Sequence, residues 1–193
     1  MCEKIPPGVY GSAKVEHFTI GEPSVRMLLR PSEFVAPGSY ARLLVNNHIM
    51  MSDTDMERRS NRHFVSLAHG HVLVGGLGLG MVVFALLQKD EVTSLTVIEK
   101  NADVVRLVQP HLPKDKRLSV IEANVFTWKP TQKYQTIYFD IWPDMSTDNL
   151  DDMTKLHRRY ARSLDRTDPS AWMGSWQQDL LRRHRRQERN QHW

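Results

Sequence analysis

The sequence predicts an α/β fold, a parallel sheet with helices packed on it, preceded by a small antiparallel β element. Three observations carry this prediction. First, the apolar run His71-Val-Leu-Val-Gly-Gly-Leu-Gly-Leu-Gly80 leads into Met81-Val-Val-Phe-Ala-Leu-Leu87 without a breaker, which reads as a buried strand, a tight turn and a helix. Second, three later apolar runs end at a polar residue, at Glu99, near Asn124 and at Asp140, with helical periodicity between the first two. Third, the first fifty residues alternate short β-prone runs with turn residues.

In the first region, Val15–Ile20 and Val25–Arg30 flank Gly21-Glu-Pro-Ser, a hairpin loop, and Ala41–Val45 and His48–Met51 flank Asn46-Asn47, which tolerate the positive φ of a two-residue turn. Thr54 and Glu57 have capping-box spacing and start a helix that should run to about Ala68. The first strand of the sheet follows at His71. The second, Leu95–Glu99, is followed by Asn101 as a helix cap, with Val104, Leu107, Val108 and Leu112 on one face and Pro110 and Pro113 ending it. Arg117–Ile121 is the third strand and Tyr134–Phe139 the fourth, with Asp140 at its carboxyl end. Ser146 or Thr147 should cap a helix carrying Leu150, Met153, His157, Tyr160 and Leu164 on one face, with Asp151–Lys155 as an i,i+4 pair. Ala171–Met173 is a stub of a fifth strand, and a basic helix beginning between Ser175 and Gln178 runs toward Trp193. The predicted domains are residues 1–52, the β element, and residues 53–193.

The chain of 193 residues is long enough to bury a core in one domain with a small appendage. Its single cysteine, Cys2, excludes an internal disulfide, the start of the chain lacks the apolar core of a signal peptide, and no run spans a membrane, so a cytoplasmic protein is expected. The charge of +4 is uneven: residues from Lys155 onward carry +6 and residues 1–154 carry −2. The run Arg182–Arg186 could contact nucleic-acid phosphates or could form a solvated face. His69 and His71 have no further ligands at metal spacing, so no metal site is expected.

The glycine loop constrains the ligand. G-x-G-x-G does not match the dinucleotide fingerprint G-x-G-x-x-G, and no Lys-Ser/Thr pair follows it to hold a triphosphate. An adenosine ligand without phosphates fits better. Glu99 lies about 20 residues beyond the glycines, where a ribose-binding acid is expected, and its two oxygens suit two vicinal hydroxyls. In open α/β sheets ligands lie outside the carboxyl ends of the strands, so the glycines, Glu99, Asn124 and Asp140 should converge on one crevice.

Val-Leu-Val-Gly-Gly-Leu-Gly-Leu-Gly, Val-Ile-Glu99, Val-Ile-Glu-Ala-Asn124 and Ile-Tyr-Phe-Asp140 resemble motifs I to IV of class I S-adenosylmethionine-dependent methyltransferases, over roughly residues 40–145, and within these the spermidine-synthase-like branch. The resemblance implies a Rossmann-like sheet, here truncated at its C-terminus with no room for strands six and seven. A substrate wall usually built there would fall to the N-terminal β element or to a second subunit in a homodimer. S-adenosylmethionine is the implied cofactor, held by Gly75, Gly76, Leu77, Gly78, Gly80, Glu99, Lys100, Asn124, Val125 and Asp140. Asn124 stands where the family has Asp facing the adenine amino group; its carbonyl can accept that bond, or it can form an Asx turn. Asp140 is the implied catalytic residue, orienting a nucleophile and taking its proton. The D-x-x-D-P of spermidine synthases is here Asp140-Ile-Trp-Pro-Asp144, so the second acid is displaced. The expected activity is methyl transfer to a small-molecule acceptor, an amine being one candidate. The alternatives are aminopropyl transfer to a diamine and a non-catalytic protein that binds an adenosyl ligand or nucleic acid.

Overall fold

The structure, a computed structural model, describes residues 1–22 and 35–191. The strand expected at Val25–Arg30 lies outside the described residues. Strands β1 (Gly8–Tyr10), β2 (Ala13–Ile20), β3 (Gly38–Val45) and β4 (His48–Ser52) form an antiparallel sheet in that order. β2 and β3 stay in register from Ala13 opposite Val45 to Ile20 opposite Gly38. Asn46 and Asn47 turn the chain into β4 with φ of 51° and 63°, the conformation expected of them. β1 was not anticipated, because three residues after two prolines carry no readable period.

A second sheet is parallel throughout, in the order β7-β6-β5-β8-β9: β5 is Gly70–Gly75, β6 Val92–Glu99, β7 Leu118–Glu122, β8 Thr136–Phe139 and β9 Trp172–Ser175. Among the described residues the helices are α1 (Asp55–Leu67), α2 (Met81–Leu86), α3 (Ala102–Val108), α4 (Asn149–Tyr160) and α5 (Gln178–Gln191). Parallel strands covered on both faces need apolar residues on both, and the two cores show this. Val72, Val74 and Tyr138 join Phe64, Val83 and Leu86 in one core, whereas Leu73, Ile137 and Phe139 join Leu156 and Tyr160 in the other. Phe64 of α1 stacks on Tyr138 with ring centroids 4.0 Å apart, and Trp172 stacks beside both, which fixes α1 against β8 and β9. Among the described residues no strand follows β9, and no helix is long and apolar enough to cross a membrane.

Several local readings change. Thr54 is the N-cap of α1 but makes no side-chain cap bond; its hydroxyl lies 3.2 Å from that of Ser52. Glu57 lines the cleft instead of closing a box on Thr54. The cap of α4 is Asp148, one residue beyond Thr147. Lys155 pairs with Asp152 at 2.9 Å, because Asp151 is taken by Arg185 of α5 at 3.0 Å. On α4 the buried face includes Leu156, while His157 meets the Ser175 hydroxyl at 2.9 Å.

The cap on α3 is as expected. Asn101 Oδ1 accepts from the N–H groups of Asp103 and Val104, at 2.9 and 3.3 Å. Asp103 in turn accepts from Ser12 N–H and Oγ–H at 2.8 and 2.9 Å, tying the small sheet to this helix. Asn101→Ala should cost about 1 kcal/mol, read from chemical unfolding; an unchanged midpoint would show that the cap is not stabilising.

Candidate functional site

Sheet order positions the site. β5 is central, so its glycine loop lies between the ends of β6 and β7 on one side and those of β8 and β9 on the other. With strands about 4.8 Å apart, Glu99 and Asp140 are offset by two spacings, roughly 10 Å. Between them is a cleft of about 430 Å³, within the range of small-ligand sites. Its lining includes Gly76, Leu77, Gly78, Glu99, Lys100, Asn124, Val125 and Asp140. Gly75 and Gly80, grouped with these in the sequence, are placed differently. Gly75 ends β5 beneath Phe139, and Gly80 is the left-handed N-cap of α2 beside Leu112.

Two glycines are demanded by the backbone. Gly76 has φ of 102°, and a Cβ there would fall well inside the Asp140 carbonyl oxygen. Gly78 has φ of 51°, and a Cβ there would strike the Met51 thioether. Met51 Sδ also accepts the Leu79 N–H at 3.1 Å, so the small sheet rests directly on the loop.

Glu99 is preoriented. One oxygen accepts from Leu77 N–H at 3.0 Å and the other from Asn101 N–H at 2.8 Å. Each keeps a lone-pair direction for a ligand hydroxyl. Asn124 forms the Asx turn, its Oδ1 accepting from Phe126 N–H at 2.9 Å, while the residue still lines the cleft. Val125 and Phe126 supply apolar lining nearby.

Asp140 occupies the other end. Burial, then the charge of Glu57, push its carboxyl up to about 7, with a hydrogen bond from Asn61 opposing them. Burial likewise raises Glu57, against the Ser52 N–H bond. Tyr138 beneath them is pushed upward by burial and by both carboxylates. Asp144 does not line the cleft; its place is exposed. Leu43, Met50, Met51, Trp142 and Trp176 also line the cleft, the last held by its indole N–H on Ser60 Oγ at 2.9 Å.

Glu57, Asn61, Met51 and Trp176 were not found by sequence reasoning. The only sequence signal at Glu57 was its capping-box spacing, which points to a local role.

No family model matches the chain. A polyamine aminopropyltransferase 1 from Streptomyces coelicolor is 28% identical over 124 residues, covering 56% of this chain and 23% of that protein, so the chain spans about a quarter of the length of this curated relative. The N-methyltransferase NodS from Bradyrhizobium japonicum WM9 superposes with a TM-score of 0.50 at 16% identity, covering 64% of this chain and 68% of that one. A spermidine synthase from Thermotoga maritima gives 0.48 at 17% identity, covering 64% and 46%. The protein thus has the Rossmann-like fold of class I S-adenosylmethionine-dependent methyltransferases, and in sequence it resembles their spermidine-synthase-like branch.

Proposed function

We propose that the protein is an S-adenosylmethionine-dependent methyltransferase acting on a small-molecule acceptor. The observation that supports this is the meeting of the glycine loop, Glu99, Asn124 and Asp140 around one cleft. The residues fit the cofactor: Gly76 and Gly78 let the loop turn tightly at the rim of the cleft, Glu99 offers two oriented acceptors for a ribose diol, and Val125 with Phe126 offers an apolar surface for a base. When bound, the cofactor supplies a methyl carbon made electrophilic by its sulfonium. Glu99 and the loop fix the position of the nucleoside, and alignment of two reactants is worth much of the barrier in such a displacement. Asp140 orients the acceptor and takes its proton.

A second reading, aminopropyl transfer, draws on the Streptomyces relative. Against it, Asp144, the displaced second acid, does not line the cleft.

Glu99→Ala should weaken S-adenosylhomocysteine binding at least tenfold, since each charge-assisted hydrogen bond is worth roughly 1.5–3 kcal/mol. Calorimetry would measure it, with Glu99→Gln as a control that keeps the shape; wild-type affinity in both variants would sink this assignment. Methyl-labelled cofactor against pooled amines, set beside decarboxylated cofactor with putrescine, separates the two transfers: label incorporation supports the first, and methylthioadenosine release the second.

A further inference from the structure

The acceptor end of the cleft holds a cluster that neither the loop nor Glu99 explains. Glu57, from the first turn of α1, and Asp140, from the end of β8, both line the cleft, and the charge of Glu57 raises the Asp140 carboxyl. Asn61 lies one helical turn beyond Glu57, donates to the Glu57 carbonyl at 3.2 Å and is near enough to Asp140 to oppose the rise of its carboxyl. Asn61 is 4% exposed, and its Oδ1 is, among the described residues, the buried side-chain polar atom without a partner. Such an orphan costs about 1–3 kcal/mol until a donor reaches it. Two carboxyls and one amide oxygen, three acceptors in all, therefore stand together with too few hydrogens. Burial raises both carboxyls, and the charge of Glu57 raises Asp140 further, so the place favours an added positive charge.

An ammonium group answers all of these features, with three N–H donors and one positive charge. The surroundings then restrict what it is attached to. The third carboxylate of the lining, Glu99, is held by two backbone N–H groups at the far end, next to Lys100. The nearer walls are apolar: Leu43, Met50, Trp142 and Trp176. A second cationic nitrogen would lose its hydration against those walls without a partner, which is costly.

We propose that Glu57, Asn61 and Asp140 form the acceptor subsite, and that it selects a monoamine bearing an apolar substituent over a diamine or polyamine. This rests on the transferase reading above. On binding, the ammonium displaces into solvent the proton that burial keeps on Asp140 below pH 7. Before attack, one N–H proton passes from the nitrogen to Asp140, leaving a neutral amine with its lone pair free and a neutral Asp140 carboxyl. Glu57 and Asn61 Oδ1 accept from the two N–H groups that remain.

The test is calorimetric titration of the whole protein with hexylamine, putrescine and hexanol, with and without S-adenosylhomocysteine, below pH 7 in two buffers of different ionisation enthalpy. Hexylamine should bind at least tenfold more tightly than putrescine or hexanol, with a buffer-dependent heat that reports proton release. Glu57→Gln should lower hexylamine affinity at least tenfold and diminish that release, while S-adenosylhomocysteine affinity stays at the wild-type value. Should the variant unfold, the buffer dependence of the wild type decides alone. Putrescine binding as tightly as hexylamine, heats independent of buffer, or an unaffected folded Glu57→Gln variant would each overturn the proposal. Amine selectivity without any S-adenosylhomocysteine binding would uphold the subsite and sink the transferase reading; the reverse pattern would sink the subsite alone.

Discussion

Gly76→Ala should cost about 3 kcal/mol or more and abolish ligand binding. The new Cβ would press on the Asp140 carbonyl oxygen, a main-chain atom of the neighbouring strand end that cannot step aside. The left-handed conformation adds roughly 1–2 kcal/mol, and overpacking typically adds another 1–3. Against a total stability of about 5–15 kcal/mol this is a large fraction. Gly78→Ala is the informative companion. It meets Met51 Sδ, the mobile end of a side chain, so its cost should be smaller. Thermal unfolding of the two variants side by side checks the order. Equal stabilities would mean that the loop does not lie against the end of β8 as described.

Asp140→Asn should slow turnover about 100-fold or more, the usual scale for losing a proton acceptor, and yet stabilise the ligand-free protein above pH 7. Folding raises this carboxyl from 3.8 to about 7, so between those values the folded chain holds a proton that the unfolded chain has released. Stability then declines as pH rises from about 4 through 7, and the loss is complete above 7. Asparagine removes that slope, so wild type and variant should differ little near pH 4 and most near pH 8. Glu57, also raised by burial, adds its charge to Asp140, and Tyr138 and Asn61 are the other polar groups around it. Unfolding midpoints across this pH span are the measurement; a variant less stable than wild type at pH 8 contradicts the burial described. Such an exchange of stability for function is common at active sites.

The elements that were legible in the sequence are those whose signals are local. The β5 run, its glycines and the Asn101 cap each need only a few neighbouring residues to be read, and β6, β7 and β8 appear within three residues of their expected bounds. The features that were missed depend on tertiary neighbours. Asp151 has Lys155 at helical spacing, but Arg185 arrives from another helix with a geometry that wins. Glu57 has the spacing of a capping box, yet Thr54 Oγ1 pairs with Ser52 Oγ and the carboxylate turns toward Ser52 N–H and the cleft. Of the expected ligand residues, those at strand ends converge because parallel strands must deliver them to one rim. Gly75 and Gly80 shape the turn around that rim, which a glycine count alone does not distinguish.

The central position of β5 has a kinetic consequence. Its two neighbours come from distant parts of the chain: Val72 pairs with Leu95 on one side and with Thr136 on the other, and β8 is itself flanked by Trp172–Ser175. A growing polypeptide can zip the first of these pairs early, but the other flank of the middle strand waits until Thr136–Phe139 has emerged. Nascent chains therefore pass through a stage with an apolar ribbon open along one side, the kind of species that chaperones bind, and refolding should be slow for a molecule of this size.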